Sequence, residues 1–332
     1  ISWSWESFPQ YLDTLERMPH AIDVAAQVAH CAVRTYVMGE RGARNEPATP
    51  EDIARMAAIV REGLEAGAIG FSTSRTQLHR TRDGEVMPGT YADEAELLGI
   101  GKVLGETGKG VYQLVSDWDE WEKEMDWMKR LSISTGRPVG FVLFYRADEE
   151  WERVQRQLEY VRQANAEGAQ LVPHVGARPV TILMAIDGTA HPFMFHQNFQ
   201  PLAALPAAER LAKLRDPAVR AAILAETPPV LGHPIADRLA VEFDNMYPLE
   251  DDPSYEPRAE DSIAAQAARL GVSPAELAYD RLLENDGKRM FYFPVFGYQT
   301  HDLSRQLAML QDPSAILSLS DAGAHCGVLC DA

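Results

Sequence analysis

The sequence predicts an α/β fold, a (β/α)8 TIM-like barrel present only in part. Three observations predict it. Amphipathic helical stretches alternate four times with short apolar runs between Thr49 and Val175. Those runs end in polar residues, as barrel strands do where they deliver side chains to a site. A last apolar run, Ala315 to Ser320, then delivers Ser320 and Asp321 just ahead of Ala322 and Gly323.

In chain order, Phe8, Tyr11, Leu12 and Leu15 recur at three and four residues and predict a helix from Ser7 to Leu15. The branched residues between Ala21 and Arg34 predict a strand near Val24–Ala29, with His30 and Arg34 at its exit. His30 has two readings there, a packing side chain or a ligand. Thr49-Pro50-Glu51-Asp52 is a helix start: Thr at the cap, Pro in the first turn, and acids where the helix dipole favours them. The helix it opens closes at Gly67 and leads to a strand, Ala68–Arg75, whose end carries Ser72, Ser74 and Arg75. Residues 79–90 form a long polar loop of the kind that serves as a lid or binding element. Helix then leads to strand three more times: 93–107 to 110–116, 118–135 to 138–145, and 149–167 to 170–175. Helical connections make such strands parallel.

Beyond His174 the alternation lapses, and the whole chain, 1–332, reads as one barrel domain with a long insertion at about 178–290. The insertion predicts helices at Leu202–Leu214 and Pro217–Thr227 and an aromatic stretch, Phe193 to His196, placed to line a pocket. An irregular acidic segment follows at Asp244–Pro257, and Ser273-Pro274-Ala275-Glu276 caps a helix reaching about Asn285. Met290–Val295 is then a candidate seventh barrel strand.

The 332 residues, 46% hydrophobic and 24% charged, are enough for a large core. A net charge of −18 disfavours nucleic acid and anionic membrane surfaces as partners. Cys31, Cys326 and Cys330 are too few and too unevenly placed for a disulfide framework, which suits a reducing, cytoplasmic setting. No apolar run is long enough to span a bilayer. The aromatic start, Trp3-Ser4-Trp5, and the end at Ala332 both read as cuts through a longer chain.

Asp321, at the end of the last strand, can serve as metal ligand, general base or both, or as a turn residue bonded to its own backbone. There is no His-x-His pair, no Gly-x-Ser-x-Gly elbow and no phosphate-binding glycine loop. Four segments together resemble the amidohydrolase superfamily, and within it the N-acyl-D-amino-acid deacylase (D-aminoacylase) branch. They are residues 5–12 (Trp-Glu-Ser-Phe-Pro-Gln-Tyr-Leu), 29–34 (Ala-His-Cys-Ala-Val-Arg), 62–74 (through Gly67-Ala68-Ile69-Gly70-Phe71-Ser72-Thr73-Ser74) and 320–325 (Ser-Asp-Ala-Gly-Ala-His).

The resemblance implies a metal-dependent barrel flanked by a small β-sandwich, with the early strands and the sandwich outside this sequence. It implies a divalent metal, zinc by preference, a small-molecule N-acyl amino acid as substrate, and hydrolysis of the C–N amide bond by metal-activated water. Asp321 matches the aspartate that touches the metal and shuttles the proton. Arg34, Ser72, Ser74, Arg75 and His325 fall where substrate contacts lie, with Arg34 or Arg75 suited to hold a carboxylate in its guanidinium fork. Where the branch places metal histidines on its fifth and sixth strands, this chain has Gln113-Leu114-Val115 and Val142-Leu143-Phe144. His174 and His196 are the candidates to replace them, each with the alternative of a pocket or core side chain.

Two further readings stand beside the hydrolase: a non-catalytic member that binds small molecules or partner subunits, and a metal-independent enzyme using Asp321 and His325 as an acid–base pair. A barrel missing strands leaves open edges and apolar faces, which association covers. The chain is therefore expected to form a homo-oligomer, and a light-scattering mass equal to a single 36.9 kDa chain would contradict this.

Overall fold

Alternation of helix and parallel strand is what the first 176 residues build. The structure, a computed structural model, describes residues 3–81, 83–146, 148–232, 235–318 and 329–331. The chain divides into two compact units, the first holding residues 1–143, 152–174 and 312–316, the second 144–151, 175–311 and 317–332.

In the first unit the elements run α1 (Phe8–Arg17), β1 (Val28–Ala29), α2 (His30–Met38), α3 (Glu40–Ala43), α4 (Pro50–Ala66), β2 (Gly70–Arg75), α5 (Glu94–Thr107), β3 (Val111–Ser116), α6 (Trp121–Thr135), β4 (Val139–Val142), α7 (Trp151–Ala166) and β5 (Leu171–Gly176). Capping boxes start α1 (Ser7 with Gln10) and α4 (Thr49 with Asp52), and Gly67, Gly108 and Gly136 end α4, α5 and α6 at positive φ. Helix α4 buries Met56, Val60 and Leu64 completely, each contributing about 1.5–3 kcal/mol of transfer free energy. Strands β1 to β5 pair in parallel and in order, as the helical connections require. The sheet is open among the described residues and does not close into a barrel, in line with a barrel present in part.

The strand expected at Val24–Ala29 shrinks to two residues, because His30, Val33, Arg34 and Val37 are buried at helical spacing and carry the chain into α2. His30 and Arg34 are thus helical residues and not a strand exit.

The second unit is built on an antiparallel sheet. Its elements are β6 (Thr181–Ala185), α8 (Gln200–Ala203), α9 (Ala207–Leu214), α10 (Pro217–Leu224), α11 (Ala236–Leu239), β7 (Tyr247–Leu249), α12 (Ile263–Leu270), α13 (Pro274–Leu282), α14 (Glu284–Gly287), β8 (Met290–Pro294), α15 (Ser304–Leu310), and the short strands β9 (Ile316–Ser318) and β10 (Leu329–Asp331). Strand β9 joins the parallel sheet beside β5, and the second sheet has the order β10-β6-β8-β7.

The structure corrects three expectations here. Met290–Val295 is not a barrel strand: β8 pairs antiparallel with β6 and β7. The reason lies in its alternation, since Phe291 and Phe293 face a helical core with Ile182, Met184, Tyr279 and Leu282 while Tyr292 packs with Tyr247 and Tyr298 on the other side. The segment taken as irregular contributes β7. The helix expected over Leu202–Leu214 is two, broken before Pro206, whose ring disfavours helical backbone at Leu205.

At Gly70 the chains of β2 and β3 approach so closely that a Cβ would lie 2.2 Å from the Val111 carbonyl oxygen. Gly70→Ala is expected to cost about 1–3 kcal/mol of stability, as overpacked cores do. A urea unfolding midpoint unchanged from wild type would contradict this.

Candidate functional site

Successive strand residues point to opposite faces of a sheet, and that rule sorts the candidate residues of the first unit into two groups. One face carries Phe71, Tyr112, Leu114, Phe141 and Leu171, all buried under the helices. The other carries Ser72, Ser74, Gln113, Val115, Val142, Val172 and His174, all of them half-buried. Register sets Ala29, Ser72, Gln113, Gly140 and Val172 in one row across the sheet, and pairs Val142 with His174 in a later row.

On this second face the His174 ring leans back over β4. A Cβ at Gly140 would lie 2.4 Å from its Nε2, so any larger residue there would have to displace the ring. Burial pushes the His174 imidazole below its ordinary range, which keeps it neutral. Among the described residues the ring has no hydrogen-bond partner. Ser74 Oγ shares a hydrogen bond of 2.8 Å with His79 Nδ1.

Arg75 lies on the opposite face, with Phe71 and Thr73. Its guanidinium donates to both carboxylate oxygens of Glu124 in α6, at 2.6 and 2.7 Å, and to the Thr90 and Ala92 carbonyls. Arg34 is 1% exposed and is bound in the same way: Nε donates to Glu96 Oε1 at 2.8 Å, and the remaining nitrogens reach the Gly42 and Glu46 carbonyls and Glu96 Oε2. A substrate carboxylate would have to displace Glu96 or Glu124 to engage either arginine.

His30 joins the Arg34 cluster. Its Nε2 lies 2.9 Å from Glu96 Oε1, and its Nδ1 lies 2.8 Å from Thr73 Oγ1. Burial works to raise the Glu96 pKa, but hydrogen bonds from His30 and Arg34 outweigh it and hold the carboxyl below the usual glutamate range.

The structure therefore brings Ser72, Ser74 and His174 together on one face and ties Arg34 and Arg75 down on the other. His196 lies in the second unit, buried with its ring edge-on to Phe193, and its Nδ1 has no partner among the described residues. Phe193 belongs to the helical core of the second unit, and Met194 packs against it. Asp321 and His325 fall outside the described residues. Sequence reading missed Glu96 and Glu124 as the arginines' partners. A signal existed for Glu96: it stands third in a helix capped by Asp93, between the core residues Ala92, Leu97 and Ile100. Gln113 and Gly140 were also missed as members of the face that carries Ser72, because the register that aligns them is set by pairing between strands.

The donor set bears on metal binding. His174 offers a neutral, unshared imidazole, the form that ligates a cation. Among the described residues, no group of three or more His, Cys, Asp or Glu could hold a metal ion. The described residues thus supply one ligand and not a complete site.

A family model described as "Amidohydrolase family" matches residues 1–332. An uncharacterized protein of Mycobacterium tuberculosis is 24% identical over 354 residues, 97% of this chain and 53% of that protein. The N-acyl-D-glutamate deacylase of Alcaligenes xylosoxydans xylosoxydans is 26% identical over 211 residues, 58% of this chain and 40% of that enzyme. Among solved structures, the N-acyl-D-glutamate deacylase of Bordetella bronchiseptica, complexed with zinc and a phosphonate inhibitor, superposes with a TM-score of 0.50 at 19% identity, covering 94% of this chain and 51% of that one. The chain spans about half the length of these relatives, and the structural likeness concerns the fold alone.

Glu96→Ala leaves Arg34 buried without its counter-charge and His30 without one hydrogen-bond partner, and is expected to cost about 3–5 kcal/mol. Because its folded pKa is depressed, Glu96 contributes stability above the ordinary glutamate pKa of about 4.3. That contribution is lost as pH falls through the lower folded value. Thermal melting across this acid range should therefore fall more steeply for wild type than for Glu96→Gln; parallel curves would count against the charged network.

Proposed function

The chain belongs to the amidohydrolase family, and from that premise we propose that it takes part in the metal-dependent hydrolysis of C–N amide bonds, as an N-acyl-D-amino-acid deacylase does. The observation that carries the reading is the half-buried, partly polar sheet face of Ser72, Ser74, Gln113 and His174 in a chain matched by the family along its whole length. In a barrel of this kind substrate is held at the C-terminal ends of the strands, toward which Ser74 and His174 stand.

A divalent cation, zinc by analogy with the Bordetella bronchiseptica relative, would polarise the amide carbonyl and acidify the attacking water when bound. His174 would hold it through an imidazole nitrogen and Asp321 through its carboxylate. Asp321 would also accept the proton of the attacking water and pass it to the departing amine, the balanced acid–base cycle that amide cleavage needs. Ser72, Ser74 and His325 would position the acyl amino acid by hydrogen bonds. Arg34, tied to Glu96, would act as a positioning residue that fixes α2 against α5, and Arg75, tied to Glu124, as one that fixes α6 against β2.

No described helix is long and apolar enough to cross a membrane. A cytoplasmic location, a homo-oligomeric state and the absence of nucleic-acid partners belong to the same proposal. A second reading, a family member that binds without turnover, is favoured by Val115 and Val142 on the face where the resemblance leads one to expect histidines.

Metal analysis and amine release from N-acyl-D-amino acids decide between the two. The hydrolase reading expects stoichiometric metal, activity lost to a chelator and restored by zinc, and a loss of about 10²-fold or more in Asp321→Asn. A folded, metal-free chain that releases no amine under zinc supports binding without turnover.

A further inference from the structure

His79 stands in the turn that leaves β2, at the strand end where barrel enzymes hold substrate. Its side chain is exposed, yet its Nδ1 lies 2.8 Å from Oγ of the half-buried Ser74. Bonds on both flanks keep the residue there. Before it, buried Thr76 donates through Oγ1 to Asp117 Oδ1 at 2.5 Å, and the Gln77 N–H donates to Asp117 Oδ2 at 2.8 Å. After it, the His79 carbonyl accepts from the Met87 N–H at 3.0 Å. Asn45 then holds the returning chain: its Nδ2 reaches the Val86 and Met87 carbonyls, and its Oδ1 accepts from the Gly89 N–H at 2.8 Å. Asn45 does so at a φ of 57°, in the left-handed region. An exposed ring adds nothing to a core, so what this framework fixes is an imidazole against a hydroxyl.

A serine hydroxyl is a weak nucleophile until a base within hydrogen-bond reach can take its proton. A neutral imidazole protonated at Nε2 offers Nδ1 to the Ser74 O–H, so the proton that must leave already points at its acceptor. Ser72 lies on the same sheet face and has no imidazole partner among the described residues. The two serines therefore differ in the one feature that activation requires.

We propose that Ser74 is a nucleophile, with His79 as its base, that takes the acyl group of small activated esters. Oγ bonds to the ester carbonyl carbon as its proton passes to His79 Nδ1. The C–O bond to the alcohol then breaks, and the alcohol leaves with the proton from Nδ1. Water splits the acyl-serine by the same exchange, releasing the acid and restoring both side chains. These steps require no metal and do not depend on the amide-hydrolase reading.

Phenylmethylsulfonyl fluoride, which sulfonylates activated serines with loss of fluoride, tests the proposal on the whole chain in EDTA. Peptide mass spectrometry is expected to find the label on Ser74 and not on Ser72. Release of nitrophenolate from p-nitrophenyl acetate should be lost in Ser74→Ala and fall about 10²-fold in His79→Ala and His79→Gln, each checked for an unchanged melting temperature. The proposal is overturned if Ser74 stays unlabelled, if Ser72 is labelled equally, or if the folded His79 variants react as fast as wild type. The wild-type labelling pattern decides whether or not the variants fold. Because EDTA is present throughout, these outcomes are separate from any failure of metal-dependent amide cleavage.

Discussion

The two-residue period of the parallel strands is the constraint on which the first unit depends. Because Phe71 and Thr73 must face the helices, Ser72 and Ser74 cannot, and the same parity carries Gln113 and His174 to their side. A slip of one residue in β2 would bury the serines and expose the phenylalanine. Burial of one face thus fixes the chemistry offered by the other.

On the buried face, charge is tolerated only in compensated groups. Glu96 sits between Arg34 and His30, and Glu124 holds Arg75 through both oxygens. The first group joins α2 to α5 and, through the bond of His30 to Thr73, to β2; the second joins α6 to β2. Removing one partner of such a group leaves the other charge desolvated, so the pairs act more as locks on geometry than as sources of net stability.

Much of the first unit was legible in the sequence because its signals are local. Thr49-Pro50 and Ser7 announce their helices, and glycines end them. The four parallel strands from β2 to β5 were placed within a few residues by their apolar runs. What was not legible required partners distant in sequence. The arginines at positions 34 and 75 look like free cations until Glu96, sixty-two residues from the first, and Glu124, forty-nine from the second, are folded against them. Likewise β8 has the length and composition of a barrel strand, and only its neighbours β6 and β7, both weak in sequence, assign it to an antiparallel sheet. Ser72, Ser74 and His174 were named singly from the sequence; that they share a face follows from register.

The contact between Gly140 and the His174 ring ties two strands together through the absence of a side chain. Even one methyl group at 140 would occupy the space of an imidazole nitrogen, so bulk at this position would swing the ring out of its present place. The orientation of the imidazole is thus set from the neighbouring strand, by a residue that offers it no side chain at all.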